Sequence, residues 1–152
     1  MDALTDPGNW GVLLATLLIV ALTVGIHYEV LRGSIRYLPA LSRSRRQRVL
    51  LLIFVILFTH SAEIWFFAFG YYVLHGLEMF GSISGDVAIE SLLDHAYYSA
   101  MVYTTVGFGD LLPFGPIRFM TGMEALTGLV MITWSASFTF LEMQRDWPSD
   151  RR

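Results

Sequence analysis

The run Thr104-Thr105-Val106-Gly107-Phe108-Gly109-Asp110 is the stretch of this chain whose residue types and spacing could do chemistry. Gly107 and Gly109 lack a Cβ, so they reach backbone conformations that other residues adopt only at a cost. That freedom lets successive carbonyl oxygens turn the same way, and Thr105 can add a hydroxyl oxygen at one end. If four copies faced one axis, the stacked oxygens would form a narrow tube able to replace the water shell of a dehydrated cation. A Gly-x-Gly pair alone is common in turns. The surrounding elements therefore decide whether this run is more than a glycine-bearing loop at the end of a helix.

Those elements are set first by composition. The chain has 152 residues, 55% of them hydrophobic and only 15% charged, with a mean hydropathy of +0.55. A soluble domain of this size could not hide so much apolar surface, whereas lipid can. There is no cysteine, which excludes disulfides and thiolate metal sites. Every formal positive charge is an arginine, and the net charge of −3 gives no sign of a nucleic-acid partner. The expected fold class is an all-α membrane protein.

In chain order, residues 1–10 are short and acidic and lack the basic start of a secretory signal. The apolar run 11–31 is long enough to cross a bilayer, with Trp10 at one interface and His27 and Glu29 near the other. The segment 32–48 holds Arg32, Arg36, Arg43, Arg45, Arg46 and Arg48 and reads as a loop; by the positive-inside rule it is cytoplasmic. Arg43, Arg45, Arg46 and Arg48 are candidates to hold anionic lipid headgroups. Their clustering outside an apolar span is unlike a voltage sensor. A second span covers 49–74, a Gly- and Ser-rich outer loop covers 75–89, and 90–103 is a helix too short to span. Such a helix reads as re-entrant, and non-helical backbone can follow it at membrane depth only where protein or a water-filled cavity covers it. The last span is 117–143, followed by a charged tail, 144–152.

A span, a short re-entrant helix, Thr-Val-Gly-Phe-Gly and a second span together resemble the pore module of potassium channels over residues 49–143. The likeness includes Tyr97-Tyr98-Ser99, where family pore helices often carry an aromatic pair followed by Ser. The resemblance implies a passive potassium channel whose filter carbonyls replace the hydration shell of K+. It implies coordination by Thr105, Val106, Gly107, Phe108 and Gly109, with Thr104 at the filter base and Asp110 at the outer mouth. Tyr97 and Tyr98 would form an aromatic collar. One chain supplies one filter strand, so a homotetramer is expected, with the C-terminal ends of the pore helices aimed at the cavity. K+ is the permeant ion, no cofactor is expected, and no catalytic constellation is apparent. The arginine loop places the N-terminus outside, and the filter near the outer face with the C-terminus cytoplasmic.

Further residues are singled out by position. Val130, Thr133 and Ser137 recur at helical spacing and would line the cavity, although Ser and Thr in membrane helices often bond to their own backbone. Gly128 stands near the family's gating hinge and reads equally as a close helix contact. Two departures from the family pattern affect filter support: Phe108 replaces the commoner Tyr, and Met101 occupies a position that carries a carboxyl in some members. Intramembrane ionisable groups are functional candidates by default. His60, Glu63 and Glu124 are therefore expected as one polar cluster bracing the filter behind the pore helix, with protonation making conduction pH-dependent. The rival readings are a non-selective cation channel and a non-conducting scaffold or sensor that reuses the fold.

Overall fold

The computed structural model describes residues 7–42 and 44–146 and is dominated by helices. Three are long and apolar enough to cross a membrane: α1 (Pro7–Leu41), α2 (Arg45–His75) and α4 (Ile117–Asp146, of which 117–145 forms the apolar span). Between α2 and α4 lie a short 3-10 turn (Glu78–Phe80), strand β1 (Ser82–Gly85), helix α3 (Leu92–Tyr103) and strand β2 (Leu111–Phe114). The protein is an all-α, multi-pass membrane protein with one small two-stranded tie.

The segment 32–48, expected as a loop, is helical at 32–41 and 45–48. Helix α1 runs through Arg32 and Arg36 to Leu41, and α2 begins at Arg45. Arginine is a good helix former; Arg32 pairs with Glu29 three residues back, and Pro39 is tolerated near the helix end. Ser44 starts α2 with a capping box, its hydroxyl accepting from the Gln47 N–H while the Gln47 side chain accepts from the Ser44 N–H. Arg43 and the end of the tail, 147–152, lie outside the described residues.

Buried positions on α1 recur about every fourth residue, as the packed stripe of a helix must. They are Gly8, Val12, Thr16, Thr23, His27, Leu31, Ser34 and Leu38. This stripe lies on α2 and α4, and much of it is polar. A second core unites Phe67, Tyr71, Tyr98, Tyr103, Ile117, Met120 and Met131, drawn from α2, α3 and α4.

Helix α3 is held at both ends. Ser91 and Asp94 form a capping box at its start, where two N–H groups and the Ser91 hydroxyl donate to one Asp94 oxygen. Those bonds, from Ser91 first, hold the Asp94 carboxyl below the usual range. Next to this cap, the His95 ring donates Nδ1–H to the Ser91 carbonyl, and its Nε2 lies 3.0 Å from His75 Nδ1 on α2.

The strands give the filter's outer flank a tether. β1 and β2 are antiparallel, with Ile83 opposite Pro113 and Gly85 opposite Leu111. A Cβ at Gly85 would lie 1.8 Å from the Asp110 carbonyl oxygen, so this pairing requires glycine there. Gly85→Ala is expected to destabilise the protein by about 1–3 kcal/mol through forced separation of the strands. The check is a lower thermal midpoint with faster amide exchange confined to 82–86 and 110–114; unchanged exchange would contradict it.

Candidate filter and its supports

Helix α3 ends where its sequence changes from apolar residues to Thr104-Thr105 and glycine. The Thr104 N–H closes the last turn on the Ala100 and Val102 carbonyls, and its hydroxyl bonds the Ala100 carbonyl at 2.6 Å. The chain then extends, and every second residue has positive φ: Thr105 at 59°, Gly107 at 52° and Gly109 at 82°. Val106 and Phe108 between them do not. Alternation of hand along a chain turns consecutive peptide planes so that their carbonyls share one side, which is the arrangement the glycines were expected to permit. Thr105 is the sole non-glycine with positive φ among the described residues; for a β-branched residue this is a strained state held by its surroundings. Residues 104–109 are all exposed in the single chain, with Phe108 at 69%.

The aromatic pair divides. Consecutive helical residues point about 100° apart, and Tyr97 donates to an Asp110 oxygen at 2.7 Å while Tyr98 turns into the subunit. Tyr98 is 3% exposed, packs edge-on against Tyr71 and bonds Thr121 at 3.0 Å. Within one chain, then, Tyr97 bonds the Asp110 side chain that follows the glycine strand, and Tyr98 is core.

The expected single cluster of His60, Glu63 and Glu124 is also two groups, bonded to α3 one helical turn apart. At the lower level Glu63, fully buried, accepts from the Tyr103 hydroxyl. His60 Nδ1 lies 3.0 Å from one of its oxygens, and His27 Nδ1 of α1 lies 2.8 Å from the other. At the upper level Glu124, also fully buried, lies 2.5 Å from the Ser99 hydroxyl and accepts from the Tyr71 hydroxyl at 2.6 Å. The Ser99 hydroxyl also bonds the Ile64 carbonyl at 2.8 Å. Ser99 has one proton to give. The set closes when Glu124 brings a proton of its own and donates to Ser99, which then donates to Ile64. The division is one of height: Ser99 and Tyr103 lie on the same face of α3 one turn apart, and Glu124 meets the first while Glu63 meets the second.

His27 is the member that sequence reasoning missed, having placed it near an interface. Its signal was present, because Thr16, Thr23, His27 and Ser34 form a polar stripe on an otherwise apolar helix. Met101 is half-buried beside the filter strand, and its carbonyl accepts from the Gly107 N–H at 3.2 Å.

On α4, Val130, Thr133 and Ser137 share an exposed face. The hydroxyls of Thr133 and Ser137 bond the carbonyls four residues back, at 2.7 and 3.0 Å. Gly128 faces the other way, against α3: a Cβ there would lie 2.0 Å from the Tyr103 carbonyl oxygen. This is a close contact between two backbones.

This frame of two spans around a short helix and a strand of alternating hand matches a family model described as "Ion channel" over residues 49–145. The chain belongs to the ion-channel family. No curated protein and no solved structure matches it. In this channel chain the matched region runs from α2 to α4, and α1 precedes it.

Proposed function

We propose that the chain is one subunit of a homotetrameric, potassium-selective channel of the cell membrane that conducts K+ passively. The observation that carries this reading is the alternating hand of Thr105, Gly107 and Gly109 on a face left exposed in the single chain. Four such strands around an axis would present rings of carbonyl oxygen from Thr105, Val106, Gly107, Phe108 and Gly109, with the Thr105 hydroxyl completing the lower end. Thr104 forms the base and Asp110, held by Tyr97, the outer mouth. The number and field strength of these oxygens, or the size of the cage, would set selectivity. Each α3 aims its C-terminal end at the cavity, where its partial negative charge favours a cation. Val130, Thr133 and Ser137 lie on the exposed face suited to the cavity wall.

The arginine-rich turn between α1 and α2 faces the cytoplasm in this reading, putting the N-terminus outside and the C-terminus inside. Arg46 is exposed there, and with Arg43, Arg45 and Arg48 it would meet anionic headgroups.

Purified protein in liposomes tests the proposal directly. Potassium flux should exceed sodium flux by at least about 100-fold, equivalent to nearly 3 kcal/mol of discrimination, and barium should block it. Equal fluxes would identify a non-selective cation channel, and absence of flux in correctly inserted tetramers a scaffold.

A further inference from the structure

Three side chains able to bind a metal converge beneath the filter: His27 from α1 with His60 and Glu63 from α2. One ligand atom from each lies within 4.8 Å of the others. The carboxylate separates the imidazoles, with one oxygen 2.8 Å from His27 Nδ1 and the other 3.0 Å from His60 Nδ1. The Tyr103 oxygen is a further 3.0 Å from His60 Nδ1. Two imidazole nitrogens, a carboxylate and an additional oxygen form a borderline donor set suited to Zn2+ and poorly matched to Mg2+ or Ca2+, which take oxygen.

We propose that His27, His60 and Glu63 form a binding site for a divalent transition metal of the zinc class, with the Tyr103 oxygen or a water at the fourth position. The proposal does not depend on potassium selectivity. A tetrahedral ion about 2.0–2.2 Å from each ligand holds them roughly 3.3–3.5 Å apart. The two imidazole–carboxylate spacings are therefore a few tenths of an ångström too close, and the imidazole nitrogens lie within 4.8 Å of each other, so small side-chain rotations would gather the set. To ligate through Nδ1, each imidazole must be neutral and carry its proton on Nε2. His27 is arranged for this, because its Nε2 lies 3.1 Å from the buried Ser135 hydroxyl of α4, which can accept that proton. His27 and Glu63 are fully buried, so a bound cation would offset carboxylate charge in surroundings where little else can. The way in is past His60, whose side chain is 15% exposed. It borders a cavity of about 610 Å³ between α2 and α4, together with Tyr103, Thr104 and Ser135. An ion here would join α1 to α2 at the level of Tyr103, next to the filter base.

The test uses the full chain, stripped with chelator, in detergent or nanodiscs. Calorimetric titration with Zn2+ should saturate at one equivalent per chain. Co2+ should give the ligand-field absorption of a four-coordinate nitrogen–oxygen site, and Zn2+ should raise the thermal midpoint. His60→Gln and His27→Gln should abolish stoichiometric binding. Ser135→Ala should weaken it about tenfold with the stoichiometry kept. His95→Gln, which alters the separate His75–His95 pair, should bind as wild type does. The proposal is overturned if the wild-type chain shows no saturable one-equivalent binding, or if binding persists in His60→Gln, or if His95→Gln is the variant that loses it. His60 is only partly buried, so its variant keeps the test decisive even where His27→Gln fails to fold. Because these readouts are binding and spectroscopy, their failure is distinct from a failure of ion flux.

Discussion

Replacing Glu63 by Leu is expected to destabilise the subunit by about 3–5 kcal/mol, because buried polar groups that lose a hydrogen-bond partner cost about 1–3 kcal/mol each and Glu63 serves three. The size follows from what Glu63 holds. Its two oxygens receive the Tyr103 hydroxyl and face Nδ1 of both His27 and His60, and the carboxylate is fully buried. Leucine would leave the Tyr103 hydroxyl without its acceptor and set two imidazole nitrogens against hydrocarbon, each at the cost of a buried polar group that has lost its partner. Because Tyr103 is the last residue of α3, the same change frees the base of the filter. Glu63→Gln retains one acceptor oxygen but turns the other into an amide donor, so a smaller loss of about 1–3 kcal/mol is expected. The thermal midpoint of the assembled protein in detergent, followed at fixed scan rate, provides the check, paired with potassium-over-sodium flux. A Glu63→Leu protein that melts with wild type and keeps its selectivity would refute the bracing role. Glu124→Gln is the instructive comparison: a neutral amide can both accept from Tyr71 and donate to Ser99, so it should be the milder of the two Gln substitutions.

That contrast shows where sequence reading reached and where it stopped. The spans were legible because lipid imposes length and apolarity on any helix that crosses it. The alternating backbone after α3 was legible because Gly107 and Gly109 occupy alternate positions, and the structure adds Thr105 to the same alternation. Arg32 to Leu41 was misread as loop because the positive-inside rule reports which side a charge lies on, not whether its backbone is helical. The β1–β2 tie was not seen, since four-residue strands give too little alternation to detect and their partners lie about thirty positions apart. Counting residues put Glu63 and Glu124 at a similar depth, whereas their α3 partners, Tyr103 and Ser99, lie one helical turn apart. Which hydroxyl each meets depends on the axial register of α2 and α4 along α3, and that is fixed by packing between helices. Tyr98 shows the same limit, because adjacency to Tyr97 says nothing about facing the filter.

Packing between backbones also sets the second large effect, at Gly128. Its added Cβ would sit 2.0 Å from the Tyr103 carbonyl oxygen, 2.8 Å from the carbonyl carbon and 3.0 Å from the Cα. All three are backbone atoms of the last α3 residue, so no side-chain rotation can relieve the overlap. Either α4 withdraws or the end of α3 shifts by an ångström or more, and Thr104-Thr105 must follow. Gly128→Ala is therefore expected to destabilise the protein by about 1–3 kcal/mol through overpacking, even though alanine is the better helix former by up to about 1 kcal/mol. It should also reduce potassium flux and narrow the preference over sodium, because the displaced residues supply the lowest oxygens of the proposed filter. Gly25→Ala on α1, where nothing lies within 4 Å of the added carbon, is the control and should be silent or slightly stabilising. A hinge would behave differently, since alanine at a hinge would change opening while leaving the resting subunit's melting and selectivity intact. Measured side by side, melting and selectivity of the Gly128→Ala protein separate the two roles, and wild-type values for both would return Gly128 to the hinge.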